Sequence, residues 1–174
     1  MRFSLTEAVA FPRERVFRFQ RDRMPELLSD LRSVASVETL EVHVDGPRMR
    51  GVKRWTGATA GLPASVVGLF PANAFQWVDT STWDESDFSV TWGHRHERWP
   101  DAMRARGTNR FEANGEDTLL SLDGELTLYP ERVPGVPAAV GEAVRPLLER
   151  LVVAQLRATL RDTLALVAER LERE

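Results

Sequence analysis

The chain has 174 residues, 43% hydrophobic and 28% charged, with a formal net charge of -3. An apolar fraction of this size supports a packed core and excludes wholesale disorder, and the length suits one domain over residues 1–174. The slight acidic excess argues against a nucleic-acid partner, which selects a basic surplus, and the absence of cysteine excludes disulfides, thiolate metal sites and cysteine nucleophiles.

Residues 2–11 alternate, with Phe3, Leu5, Val9 and Phe11 on one face and Arg2, Ser4, Thr6 and Ala8 on the other, the period of a half-buried strand. Glu7 interrupts the apolar face. With Arg13, Glu14 and Arg15 it also leaves no apolar run like the core of a signal peptide. No segment reaches the ~18 consecutive apolar residues of a membrane span, so no transmembrane segment and a cytoplasmic location are expected. Pro12 stops the strand and suits the first turn of a helix, on which Val16, Phe17 and Gln20 share a side. A second short helix is expected from Pro25 to Leu31, where Leu27, Leu28 and Leu31 have amphipathic spacing.

From Ser36 to Pro130 the pattern is that of strands. Two are joined at Asp45-Gly46-Pro47, two more at Asp84 to Asp87, and a further pair at Asn114-Gly115-Glu116-Asp117. Turn residues between alternating runs mark hairpins; with the opening strand the total is seven. The connection from Gly57 to Asn73 is too long for a hairpin turn and rich in Gly, Ala and Pro. A short helix is expected there over residues 63–70, and the segment is either a gate or simple cover for the end of the sheet. The chain closes with helical text from Pro137 to Glu172, striped by Val144, Leu148, Leu151, Val152, Leu156, Leu160, Leu164, Val167 and Leu171. Pro146 is expected to kink it or break off a shorter first piece.

This order, together with FPRERVF after the first strand, the break VPGVP and the run Leu147 to Leu171, resembles the helix-grip fold of the START-like superfamily, in a bacterial branch of it. The resemblance covers essentially the entire chain. It implies an α+β architecture: a seven-stranded curved antiparallel sheet wrapped around a long C-terminal helix, with two short helices after the first strand. It also implies a cavity between sheet and helix for a small, largely apolar ligand such as a lipid or polyketide. No cofactor is implied, and a monomer or weak homodimer is expected.

Alternation assigns the cavity face. Leucines 120, 122, 126 and 128 define the inward phase of the last strand, and the same test selects Phe88, Val90, Trp92, His94 and His96. It selects Met103, Ala105, Gly107, Asn109 and Phe111 on the next strand. Phe75, Trp77, Asp79, Ser81 and Trp83 are inward on the fourth strand, and Met49, Gly51, Lys53 and Trp55 on the third. The ligand-contacting candidates are Trp55, Trp77, Asp79, Trp92, His94, Asn109, Phe111, Leu122 and Leu148.

Ionisable groups on an apolar face must pair, titrate or meet water or a ligand. Glu7, Lys53, Asp79, His94 and His96 therefore allow three readings. They pair at strand ends and keep the rim soluble; they grip the polar end of a ligand; or His94 acts as general base, oriented by Asp79 or Glu7, in the cyclisation, aromatisation or dehydration of a polyketide-like substrate. A further alternative is a docking protein whose cavity is filled by its own tryptophans. His94-Arg95-His96 suggests a metal, but His43 is the only other histidine, so no metal site is expected. The arginines Arg48, Arg50, Arg54, Arg104, Arg106 and Arg110 fall on outward phases, where neighbouring carboxylates point to an ion-paired surface.

Overall fold

The computed structural model describes residues 1–27, 30–60 and 62–174. Strand β1 (Arg2–Val9) is followed by helix α1 (Arg13–Leu27), strands β2 (Val34–Asp45) and β3 (Arg48–Gly57), and the four-residue helix α2 (Ala64–Val67). Strands β4 (Gln76–Asp84), β5 (Ser89–His96), β6 (Met103–Asn114) and β7 (Asp117–Leu128) come next, and helix α3 (Ala138–Glu172) closes the chain. The strands form one antiparallel sheet in the order β1-β7-β6-β5-β4-β3-β2. This is the helix-grip architecture expected from the sequence.

Short turns fix the register. Gly46 and Gly115 take φ of 55° and 66° at the tips of the β2–β3 and β6–β7 hairpins, a region open to glycine without steric cost. The pairs Met103 with Leu128, Ala105 with Leu126, Asn109 with Leu122 and Phe111 with Leu120 then put four inward residues of β6 opposite inward leucines of β7, and the fifth, Gly107, opposite Gly124. The remaining pairings carry this phase across to β3, so the inward sets read from alternation are the sets observed.

Two helical boundaries differ from expectation. α1 continues to Leu27 where two short helices were anticipated. Val16, Phe17, Gln20, Met24 and Leu27 stay in phase along it, so one buried stripe supports the whole length. Leu31 lies beyond it, buried, and Leu28 falls outside the described residues. α3 runs unbroken through Pro146. Pro146 and Glu142, whose carbonyl loses its helical partner, are both exposed, so the interruption falls on the solvent side of the helix and not in the core. Among the described residues of the 57–73 connection, only Ala64–Val67 are α-helical, and Phe75, expected on a strand, ends a 3-10 turn.

The core is asymmetric. Phe17 of α1 meets Trp83, Phe88 and Phe111 edge-on at 5.2 to 5.5 Å, an arrangement favoured by ring quadrupoles. Leu5, Leu120, Leu122, Leu160, Leu164 and Val167 complete this cluster. α3 packs along β1, β7 and α1, and its C-terminal half is well buried at Leu160, Leu164, Val167 and Leu171. Its N-terminal half buries Leu148, while Leu151, Val152 and Leu156 are only half-buried. The apolar stripe is equally strong in both halves, so the difference lies in what faces it. No helix among the described residues is long and apolar enough to cross a membrane.

Candidate functional site

The concave face of β3, β4 and β5 carries two adjoining transverse rows. One runs Lys53–Asp79–His94–Ala105 and the next Trp55–Trp77–His96. Directly opposed residues of neighbouring strands have Cβ atoms about 5 Å apart, so register alone brings these side chains together. His94 Nε2 lies 3.0 Å from Asp79 Oδ1. Asp79 is buried at 8% exposure, and a buried carboxylate requires such a partner. With Nε2 engaged, Nδ1 is the ring position left for a second proton partner.

Lys53 stands across the strand pair from Asp79. Burial holds its amine below the ordinary value of 10.5, with the Asp79 charge opposing that shift. Desolvation outweighs the attraction because no carboxylate among the described residues closes an ion pair with it.

Aromatic rings surround this polar row. Trp55 and Trp77 stack at 6.1 Å with planes 8° apart. Trp77 and Trp92 flank the His94 ring, at 6.4 and 4.7 Å. Trp92 is fixed by an Nε1 hydrogen bond donated to Asn109 Oδ1 at 2.9 Å, and it lies over Gly107, where a Cβ would approach the ring to 2.4 Å. Glycine at that position is what lets the indole lie on the sheet. Trp55 Nε1 is buried without a partner among the described residues.

Lys53, Trp55, Trp77, Trp92 and His94 are all half-buried, whereas Leu120, Leu122, Leu126 and Leu128 on the same face of β7 are fully buried. The concave surface is thus closed at one side of the sheet and accessible at the other. Leu148 packs with Ala105, Leu126, Leu128 and Val66 beside this surface. Val66 and Phe70 bring the 57–73 connection onto the same cluster.

Several candidate residues sit elsewhere. Phe111 and Leu122 belong to the core under α1, since alternation gives the face of a strand but not the depth along it. Glu7 pairs with Arg161 at 2.6 Å and lines a shallow groove of about 320 Å³ between β1 and α3. Two strands separate β1 from β5, and at about 4.8 Å per strand and 3.4 Å per residue Glu7 is of the order of 20 Å from His94, too far to orient it.

His96 has a scaffolding role that sequence reading missed. Its Nδ1 accepts hydrogen bonds from the backbone N–H groups of Arg98 and Trp99 at 3.1 and 3.0 Å, and its ring stacks on Trp99 at 4.7 Å. Burial lowers its pKa, opposed by the carbonyls of Ala74 and Asn73. These contacts make the ring a pin for the β5–β6 loop, while among the described residues its Nε2 is buried without a hydrogen-bond partner. A histidine followed closely by a chain reversal was the available signal. Among the described residues no three His, Asp or Glu side chains come together as a metal-binding group.

Five of the six outward arginines are paired, Arg48 with Asp84, Arg54 with Glu38 and Glu97, Arg104 with Asp101, Arg106 with Glu125 and Arg110 with Asp123, and Arg50 has no carboxylate partner among the described residues.

The architecture has clear counterparts among solved structures. The Zhui aromatase/cyclase from a Streptomyces species superposes with a TM-score of 0.71 at 16% identity, over 98% of this chain and 95% of that one. TTHA0849 of Thermus thermophilus gives 0.69 at 22% identity, over 96% and 97%. Norcoclaurine synthase from Thalictrum flavum gives 0.59 at 12% identity, over 97% and 87%. The chain has the helix-grip fold. At these identities the likeness is one of fold, and fold alone assigns no chemistry. No protein-family model and no curated protein sequence matches the chain.

Proposed function

We propose that this START-like chain binds a small, largely apolar ligand on the concave face of β3–β5, beneath the N-terminal half of α3. The observation that carries this reading is the partial exposure of Lys53, Trp55, Trp77, Trp92 and His94 on a face whose other side is sealed. A concave apolar surface with a few convergent polar groups is the usual form of a small-molecule site. Trp55, Trp77 and Trp92 form its walls, Leu148 part of its roof, and Asp79 with His94 its polar end. Asn109 serves by holding Trp92. The 57–73 connection is the gate, hinged outside the sheet and held down by Val66 and Phe70. The protein works in the cytoplasm as a single-domain monomer or weak homodimer, with no nucleic-acid partner. Most outward arginines of the sheet are engaged by carboxylates, which supports that last point.

A second reading is favoured by the 3.0 Å contact between His94 and Asp79. A carboxylate that fixes one imidazole nitrogen leaves the other as a general base, suited to cyclisation, aromatisation or dehydration of a polyketide-like substrate in the same cleft. Resemblance in fold to an aromatase/cyclase supports it.

Titration with 1-anilinonaphthalene-8-sulfonate tests the binding reading. Saturable enhancement of probe fluorescence is expected for the native protein, weakened at least about tenfold in Trp77→Ala, since losing one aromatic wall forfeits more than 1.4 kcal/mol. Equal affinity in the two proteins would overturn the assigned site. Asp79→Asn separates the readings, because a binder keeps its affinity for apolar ligands while an enzyme loses turnover.

A further inference from the structure

Lys53 is the only lysine of the chain, and every other residue of the Lys+Arg class is arginine. The outward ion pairs of the sheet, from Arg48–Asp84 to Arg106–Glu125, are all made by arginine. The single amine side chain is placed inside, half-buried on the concave face, directly across from Asp79 and one strand further from His94. Guanidinium and ammonium are not equivalent: arginine stays protonated and is no nucleophile, while a desolvated lysine sheds its proton and becomes one.

From this juxtaposition we infer that Lys53 is a carbonyl-capturing residue, forming an imine with an apolar aldehyde or ketone seated between Trp55, Trp77 and Trp92. This deepens the ligand-binding reading above and rests on it. Burial supports the chemistry by depressing the amine's pKa, which raises the neutral fraction about tenfold for each unit.

The step balances without any oxidant or reductant. The Nζ lone pair adds to the carbonyl carbon, the carbonyl π pair moves to oxygen, and the proton shed by nitrogen ends on that oxygen. A second proton from the His94–Asp79 pair lets the hydroxyl leave as water as the C=N bond forms. The resulting iminium returns a proton to the pair on becoming the imine. One water is released for each carbonyl captured. His94 and Asp79 face the amine from the same side of the sheet, and the aromatic walls limit the water that would reverse the reaction.

The test uses 2-naphthaldehyde with sodium cyanoborohydride at pH 7, followed by intact mass and peptide mapping. One naphthylmethyl group is expected on the peptide containing Lys53, at a rate at least about tenfold above that of the same lysine in the urea-unfolded chain. Peptide mapping separates this adduct from any on the α-amine of Met1, so the comparison is between folded and unfolded Lys53 alone. Lys53→Arg keeps the charge and should abolish the adduct while retaining the far-UV spectrum. 2-Naphthalenemethanol, with the same ring and no carbonyl, should compete. If the alcohol binds and Lys53 labels no faster than in the unfolded chain, the carbonyl inference is overturned and the ligand-binding reading stands. If neither naphthalene binds, both fall.

Discussion

Gly107→Ala offers a sharp test of how the tryptophan wall is built. The new Cβ would lie 2.4 Å from Trp92 Cζ2 and 2.4 Å from the Asp123 carbonyl oxygen, where ordinary contacts are about 3.5–4 Å. The carbonyl belongs to the neighbouring strand of the ladder and cannot retreat, so Trp92 must leave the sheet. Overpacking of this kind costs about 1–3 kcal/mol, and the Trp92–Asn109 hydrogen bond adds about 1 kcal/mol when lost. Removing a glycine from a strand returns about 0.5–1 kcal/mol, leaving a net loss of about 1–3.5 kcal/mol. With a urea m-value of about 2 kcal/mol/M, the midpoint should fall by about 0.5–1.8 M. Urea titrations followed by far-UV circular dichroism give this directly. Gly93→Ala is the control: it lies on the same sheet, but its Cβ meets nothing nearer than the Ala105 carbonyl oxygen at 4.0 Å, so its midpoint should hold or rise. A Gly107→Ala midpoint within about 0.2 M of the wild type would refute the argument, since it would mean the indole does not depend on that gap.

Three further outcomes follow from packing and titration. Phe17→Ala should cost about 3–5 kcal/mol in the same assay, because the ring is the centre of three edge-on contacts in the buried core. His96 is held below its ordinary pKa of 6.5, so the unfolded chain binds its proton more readily and this stabilisation is whole above the ordinary value and lost as pH falls through the folded one; His96→Gln should flatten the urea midpoint against pH across that window. Lys53 is also held below its ordinary value of 10.5, so the charged form penalises the fold at neutral pH. Lys53→Met should therefore raise the midpoint at pH 7, and the advantage should shrink as pH rises through the lowered folded value and be gone above the ordinary value of 10.5.

The faces of the strands were legible because side-chain alternation has period two and short turns with glycine at their tips lock each register. That logic carried from Leu120–Leu128 across to Lys53 and Trp55 without a slip. Position along a strand was not legible, and so Phe111 and Leu122 were grouped with Trp92 although α1 covers them and leaves Trp92 half-open. Glu7 shares the phase of Leu5 on β1, yet it meets Arg161 of α3 at the far side of the sheet. The contacts of His96 were not legible for a different reason. Its partners are backbone amides two and three residues on, and a side chain that caps its own turn leaves little trace in residue type. α1 ran past Pro25 because an apolar stripe in phase outweighs one missing hydrogen bond. The contrast between arginine everywhere outside and one lysine within was in the sequence from the start, but it acquired meaning only once Asp79 and His94 stood beside that lysine.

The central claim is that ligand sits against Trp55, Trp77 and Trp92. Each of the five tryptophans gives its own indole N–H resonance, so a titration of ¹⁵N-labelled protein with 1-anilinonaphthalene-8-sulfonate reads all of them at once. The account predicts that the indole signals of Trp55, Trp77 and Trp92 move together and saturate, while those of Trp83 in the core and Trp99 on His96 stay in place. Movement of Trp83 or Trp99 with the other three unchanged, or no movement at saturating probe, would contradict it.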